Sequence, residues 1–78
     1  MNRGEIQSKV YELVSETLEI DANDLSESTL FEDLGADSFD LLELVTTFED
    51  EFGLTMDDES LAEIESVGDV IAAIEGAQ

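Results

Sequence analysis

Ile6, Val10, Leu13, Val14 and Leu18 recur at i, i+4, i+7, i+8 and i+12, one apolar face of a helix predicted over residues 3–18. Asn2 is placed to cap it, with Glu5 three residues on in a capping-box arrangement. Lys9, Glu12 and Glu16 fall off the apolar face. The period is then lost. Across 19–37, Ile20, Leu25, Leu30, Phe31 and Leu34 are scattered among Asp, Asn, Ser and Glu. A connection of that length is either functional or disordered, and its five large apolar residues point to anchoring on the core. Thr29 and Glu32 fit a second capping box, which predicts a single helical turn there.

Period returns with a second long helix, Ser38 to Phe52, followed by Gly53 as a left-handed C-terminal cap. Leu54 and Met56 lead into Asp57, Asp58 and Glu59, whose charge suits the start of a short helix carrying Leu61, Ala62 and Ile64. Ser66 is the predicted N-cap of a last helix over 67–75, with Val67, Val70, Ile71 and Ile74 on its apolar face and Gly76 as its stop. The fold class read from this pattern is all-α: a small four-helix bundle, three helices longer and one short, with a long loop after the first. One domain over 1–78 is expected.

The second helix does not divide cleanly into an apolar and a polar side. At about 100° per residue, Leu41, Leu44, Val45, Phe48 and Phe52 share roughly 100° of arc, a stripe that faces the core. Phe39 lies about opposite that stripe and Leu42 at its edge, among Thr46, Glu43, Glu49 and Asp50. Two readings account for Phe39. It folds back under the preceding loop as a hydrophobic staple, or it is the centre of a docking face whose ring of carboxylates steers a basic partner.

Charge narrows the field of partners. Asp and Glu number 22 against 2 Lys and Arg, a formal charge of −20. Leu, Ile, Val and Phe make up 24 of the 78 residues, well above the roughly 20% below which disorder is expected, so a thin core can form. The excess charge should make the fold sensitive to salt and pH through self-repulsion. It disfavours nucleic acid and anionic membranes. No stretch approaches the roughly 18 apolar residues of a membrane span, and the opening residues do not resemble a signal peptide. With no His and no Cys, the commonest general base and the only thiol nucleophile are missing. An enzyme is not expected; protein partners with basic surfaces are.

The segment Gly35-Ala36-Asp37-Ser38-Phe39-Asp40 opens the second helix. Its plain structural reading makes Ser38 the N-cap hydroxyl, with Asp37 as the alternative cap. Its functional reading notes that a hydroxyl at a helix N-terminus sits where backbone N–H groups and the helix dipole favour an attached phosphate. Leu34-Gly35-Ala36-Asp37-Ser38, then Asp40, Leu42-Glu43-Leu44-Val45 and Phe48-Glu49-Asp50-Glu51-Phe52, resembles the acyl carrier proteins of dissociated fatty-acid synthesis. The likeness extends over nearly the whole chain, including the acidic balance, the long first loop and Ile64-Glu65-Ser66-Val67-Gly68-Asp69-Val70.

That resemblance implies a four-helix bundle whose Ser38 hydroxyl receives 4′-phosphopantetheine from coenzyme A, by a phosphopantetheinyl transferase that needs Mg²⁺. Acyl intermediates would ride as thioesters on the arm's sulfur, which supplies the thiol the polypeptide lacks. The resemblance makes the second helix the recognition helix, with Asp37, Asp40, Glu43, Glu49 and Asp50 as acidic contacts and Phe39, Leu42 and Thr46 as the apolar part. Leu44, Val45, Phe48 and Ile64 would shelter the acyl chain. Fatty-acid synthesis enzymes and acyltransferases with basic docking patches are the implied partners of a cytoplasmic monomer.

Two positions depart from the family pattern. Phe39 stands where fatty-acid carriers most often have Leu, and Asp-Ser-Phe occurs in D-alanine carriers; the Pro usual near Met56-Asp57 is missing. The same arm loaded with D-alanine, an aminoacyl group or a polyketide unit is therefore the neighbouring alternative. An unmodified acidic mimic filling a basic groove is another. A calcium-binding protein is more remote: 21–32 has the length, first Asp and last Glu of an EF-hand loop, but Leu25 and Ser26 occupy positions that need a ligand and a Gly.

Overall fold

A computed structural model describes residues 2–77, with side chains throughout except at 58 and 60. Helix α1 spans Arg3–Leu18, α2 Ser38–Phe52, α3 Asp58–Glu63 and α4 Val67–Ala77. Short 3-10 turns at Ala22–Asp24 and Glu32–Leu34 punctuate the long connection between α1 and α2. This is the expected bundle of three longer helices and one short one.

α1 packs against both α4 and α2. Ile6, Val10 and Val14 of α1, Leu44 and Phe48 of α2, and Val67, Val70, Ile71 and Ile74 of α4 are fully buried together. Each such side chain contributes about 1.5–3 kcal/mol. No polar or charged residue is buried among the described residues, so the centre is held by apolar contact alone. The Asn2 side chain accepts the Glu5 N–H at 2.9 Å, as the cap requires, and its own amide donates to the Glu5 carboxylate at 3.3 Å. α1 ends on Glu19, a non-glycine residue in the left-handed region (φ 56°), whose N–H returns to the Ser15 carbonyl. Pattern reading gave no hint of this, because Asn and Gly are the usual signals for it.

The α1–α2 connection is anchored, and by backbone as much as by side chains. Leu25 and Phe31 are buried, and Ile20 and Leu34 pack against the core, while Leu30 stays 38% exposed. Three cross-links run to the junction between α3 and α4. The Phe31 N–H donates to Glu65 O at 3.0 Å, Val67 N–H to Thr29 O at 3.0 Å, and Gly68 N–H to Glu27 O at 2.8 Å. The predicted Thr29–Glu32 capping box does not form. The Thr29 hydroxyl accepts instead from the Ser26 N–H at 3.0 Å, and the 3-10 turn begins at Glu32 with no side-chain cap. The turn starts two residues later than the box requires, with Phe31 at its cap position, so Thr29 lies outside it.

α2 ends as predicted, with Gly53 at φ 65° and its N–H on the Glu49 carbonyl. Ser66 and Asp69 cap α4 reciprocally: Asp69 N–H to Ser66 Oγ at 3.2 Å, Ser66 N–H to Asp69 Oδ2 at 3.1 Å. Glu65 N–H adds a third bond to Asp69 Oδ2 at 3.0 Å. Gly76 does not stop α4, which continues to Ala77. Only Gly35 and Gly53 adopt positive φ among the described glycines, so Gly76 provides no left-handed cap and costs the last turn only about 1 kcal/mol of helix propensity. The proposed helix-dipole role of Asp58 lies outside the described residues.

Both cations of the chain tie α1 to other segments. Arg3 pairs with Glu27 of the loop and Glu75 of α4, and Lys9 with Glu51 near the end of α2 at 2.7 Å. These carboxylates raise the affinity of both groups for their protons, Glu27 and then Glu75 acting on Arg3, and Glu51 on Lys9.

Candidate functional site

The start of α2 is fixed by a pair of aspartates. Gly35, left-handed at φ 79°, turns the chain out of the second 3-10 turn, and the Ala36 N–H holds the Phe31 carbonyl at 3.1 Å. Asp37 then takes the N-cap in extended geometry. Its carboxylate accepts the Asp40 N–H at 2.9 Å, and the Asp40 carboxylate accepts the Asp37 N–H at 3.3 Å, completing a capping box. Ser38, the candidate cap from sequence, is instead the first helical residue. With Asp37 doing the capping, the Ser38 hydroxyl is exposed and makes no hydrogen bond among the described residues. A free hydroxyl beside unpaired helix N–H groups fits a phosphodiester on both chemical counts, as a nucleophile and as an anion seat.

The outward face of α2 rules out one of the two readings of Phe39. It is 73% exposed and Leu42 56% exposed, so Phe39 is not a staple. Phe39, Leu42, Glu43, Thr46 and Thr47 line a shallow hollow on this face. The Thr46 and Thr47 hydroxyls donate to the carbonyls of Leu42 and Glu43, each at 3.0 Å, so neither hydroxyl is left without a partner. Glu43 and Asp50 are exposed. Asp37 and Asp40 stand at the top of the same helix, partly occupied by capping. Glu49 is half-buried, and its carboxylate accepts the Met56 N–H at 2.8 Å. It fastens the segment after α2, a role the helical wheel could not reveal because Met56 is seven residues away.

Between α2 and α3 lies a cleft of about 340 Å³ lined by Ser38 with Leu41, Leu42, Val45, Leu61, Ala62 and Ile64. Of the four expected shelter residues, Val45 and Ile64 line this cleft. Leu44 and Phe48 do not; both are fully buried in the central core. Leu41, Leu42, Leu61 and Ala62 complete its apolar lining. The wheel already put Leu41 at the flank of the apolar stripe, but only the position of α3 decides which flank opens onto a cleft. The EF-hand window, 21–32, folds as one 3-10 turn at Ala22–Asp24 and a Ser26–Thr29 turn, with Leu25, its fifth residue, buried in the core.

Known proteins agree with this geometry. The phosphopantetheine attachment site family matches residues 8–74. The acyl carrier protein of Thermotoga maritima is 48% identical over 95% of this chain and 93% of its own. That of Lactobacillus acidophilus is 38% identical, covering 100% of this chain and 99% of its own. Among solved structures, the Thermotoga maritima carrier superposes with a TM-score of 0.85 at 36% identity, over 99% of this chain and 91% of that one. The Enterococcus faecalis carrier superposes at 0.83 and 34% identity over the whole of both chains. No helix among the described residues is long and apolar enough to cross a membrane. With the family match running over most of its length, the chain belongs to the phosphopantetheine-attachment family of acyl carrier proteins.

Proposed function

We propose that Ser38 is the attachment point for 4′-phosphopantetheine and that the protein, a single domain, carries acyl thioesters through fatty-acid synthesis. The observation that carries this is the division of labour between neighbours: Asp37 caps α2 and leaves the Ser38 hydroxyl exposed and unbonded. In the loading reaction that oxygen takes the phosphopantetheinyl group from coenzyme A. The nucleotide half of coenzyme A leaves, and the hydroxyl proton passes to the transferase or solvent. Once attached, the arm supplies a thiol, and thioester chemistry is performed by the enzymes that visit it. The protein itself is a carrier and not a catalyst.

The α2 face would dock a phosphopantetheinyl transferase, and then fatty-acid synthesis enzymes and acyltransferases, by an apolar contact at Phe39 and Leu42 inside an acidic rim of Asp37, Asp40, Glu43 and Asp50. Glu49 would contribute charge but little direct contact. Val45 and Ile64, with Leu41, Leu61 and Ala62, would form the acyl shelter. The reading is of a monomer working in the cytoplasm, where these enzymes and coenzyme A meet it. Incubation with coenzyme A, Mg²⁺ and a phosphopantetheinyl transferase, followed by intact mass measurement, tests the assignment. One arm should be gained by the wild type and none by Ser38→Ala; an arm on Ser38→Ala overturns it.

Phe39, at 73% exposure directly after the attachment serine, supports a second reading in which the same arm carries D-alanine, an aminoacyl group or a polyketide unit. Presenting the loaded-arm form to each class of acylating enzyme separates the two.

A further inference from the structure

Ser38 borders two hollows, not one. Besides the α2–α3 cleft, a second hollow of about 440 Å³ lies on its other side, between the α1–α2 connection and the junction of α3 and α4. Ser38, Leu41 and Ile64 line both, so the two adjoin at Leu41 and Ile64. The second hollow differs in chemistry. Leu30, one of three exposed large apolar residues among those described, lines it with Ala36, and so do Glu32, Asp37 and Glu65. Its two walls are stitched together by the Phe31 N–H to Glu65 O bond at 3.0 Å and the Leu30–Ser66 bridge. It is therefore a preformed surface and not a gap between loosely packed segments.

We propose that this loop-side hollow is the resting site of the unloaded phosphopantetheine arm, apart from the α2–α3 cleft assigned above to the acyl chain. The inference rests on attachment at Ser38 as proposed above. Pantetheine has a gem-dimethyl group, a hydroxyl and two amides. Its dimethyl group matches Leu30 and Ile64, and its O–H and N–H donors match the carboxylates of Glu32 and Glu65, which can only accept. A hydrocarbon chain in the same place would desolvate those carboxylates with nothing to bond them, a penalty the apolar cleft does not impose. The phosphodiester stays at the α2 N-terminus, where unpaired N–H groups offset the acidic surroundings. Acylation then shifts the arm from this hollow to the cleft because the two sites bind the two loads unequally, which is the only way a ligand can move such an equilibrium.

The test uses isotope-labelled protein carrying an unlabelled arm, with occupancy fixed by intact mass. In the thiol form, nuclear Overhauser contacts are expected from the gem-dimethyl protons to the methyl groups of Leu30 and Ala36. Loading an octanoyl chain should abolish them and give contacts from the chain to Leu61 and Ala62. Leu30→Ser, at a half-exposed position and checked for fold by circular dichroism, should lose the Ala36 contact with the mass unchanged. A fully occupied arm whose protons touch neither Leu30 nor Ala36, or touch Leu61 and Ala62 while unloaded, overturns the proposal. A mass showing no arm overturns the attachment at Ser38, and this inference with it.

Discussion

Gly68 lies so close to Glu27 that a Cβ built on it would stand 2.8 Å from the Glu27 carbonyl oxygen, the same oxygen that accepts the Gly68 N–H at 2.8 Å. The neighbour is backbone and cannot swing aside. Gly68→Ala would gain about 1 kcal/mol of helix propensity, but forcing the loop off α4 costs more. A net loss of about 1–2 kcal/mol is expected by urea denaturation. An equal or higher midpoint would mean that the loop is not held against α4 in solution.

Asp37 and Ser38 are adjacent, yet their variants should behave oppositely. Asp37→Ala removes the N-cap and should cost about 1 kcal/mol of stability while leaving the hydroxyl available to the transferase. Ser38→Ala removes a group with no hydrogen bond and should change stability by less than about 0.5 kcal/mol, while abolishing arm attachment. Thermal melts and intact mass on the pair read both effects; a strongly destabilised Ser38→Ala would show that the hydroxyl does the capping.

The Asp69 carboxyl is held below the usual carboxylate range, chiefly by the Glu65 N–H and then by the backbone and hydroxyl of Ser66. A carboxyl whose folded pKa lies below its unfolded value stabilises the fold above the unfolded pKa, about 3.9. That contribution is lost as pH falls through the folded value. Asp69→Asn should therefore be less stable than wild type at pH 7, and the difference should shrink as pH drops below about 4. A difference independent of pH would assign the effect to shape and not to charge.

Neutralising Glu43 and Asp50 together should weaken transferase binding about fivefold at low salt, close to 1 kcal/mol for two rim charges. The fold should be unaffected. At high salt the loss should nearly vanish, since charges at this exposure are screened over about 10 Å at 0.1 M. Phe39→Ala should show the reverse pattern, a loss that persists in salt. Calorimetry at two ionic strengths distinguishes the two kinds of contact, and a salt-independent loss for the carboxylate pair would remove the steering role.

Much of this was open to reading in the chain. The bounds of α1 and α2 follow from apolar spacing with Asn2 and Gly53 at their ends, and Phe39 and Leu42 declare themselves by standing off the stripe of their own helix. What escaped has a common cause. The bonds from residues 27–31 to 65–68 join backbone to backbone, so no side chain advertises them, and Thr29 looks like a cap although the turn starts two residues later. Glu49 looked like surface charge because its partner is a backbone N–H seven residues on. A stripe on one helix does not say which part meets α3 and which meets α1, so it does not separate Val45, on the α2–α3 cleft, from Leu44 and Phe48 in the central core.

Arg3 and Lys9 both sit on α1, each already engaged by carboxylates, and α2 has no basic residue of its own. The molecule is thus electrically lopsided. Under the docking role proposed above, this asymmetry would turn a partner's positive side toward α2 before contact.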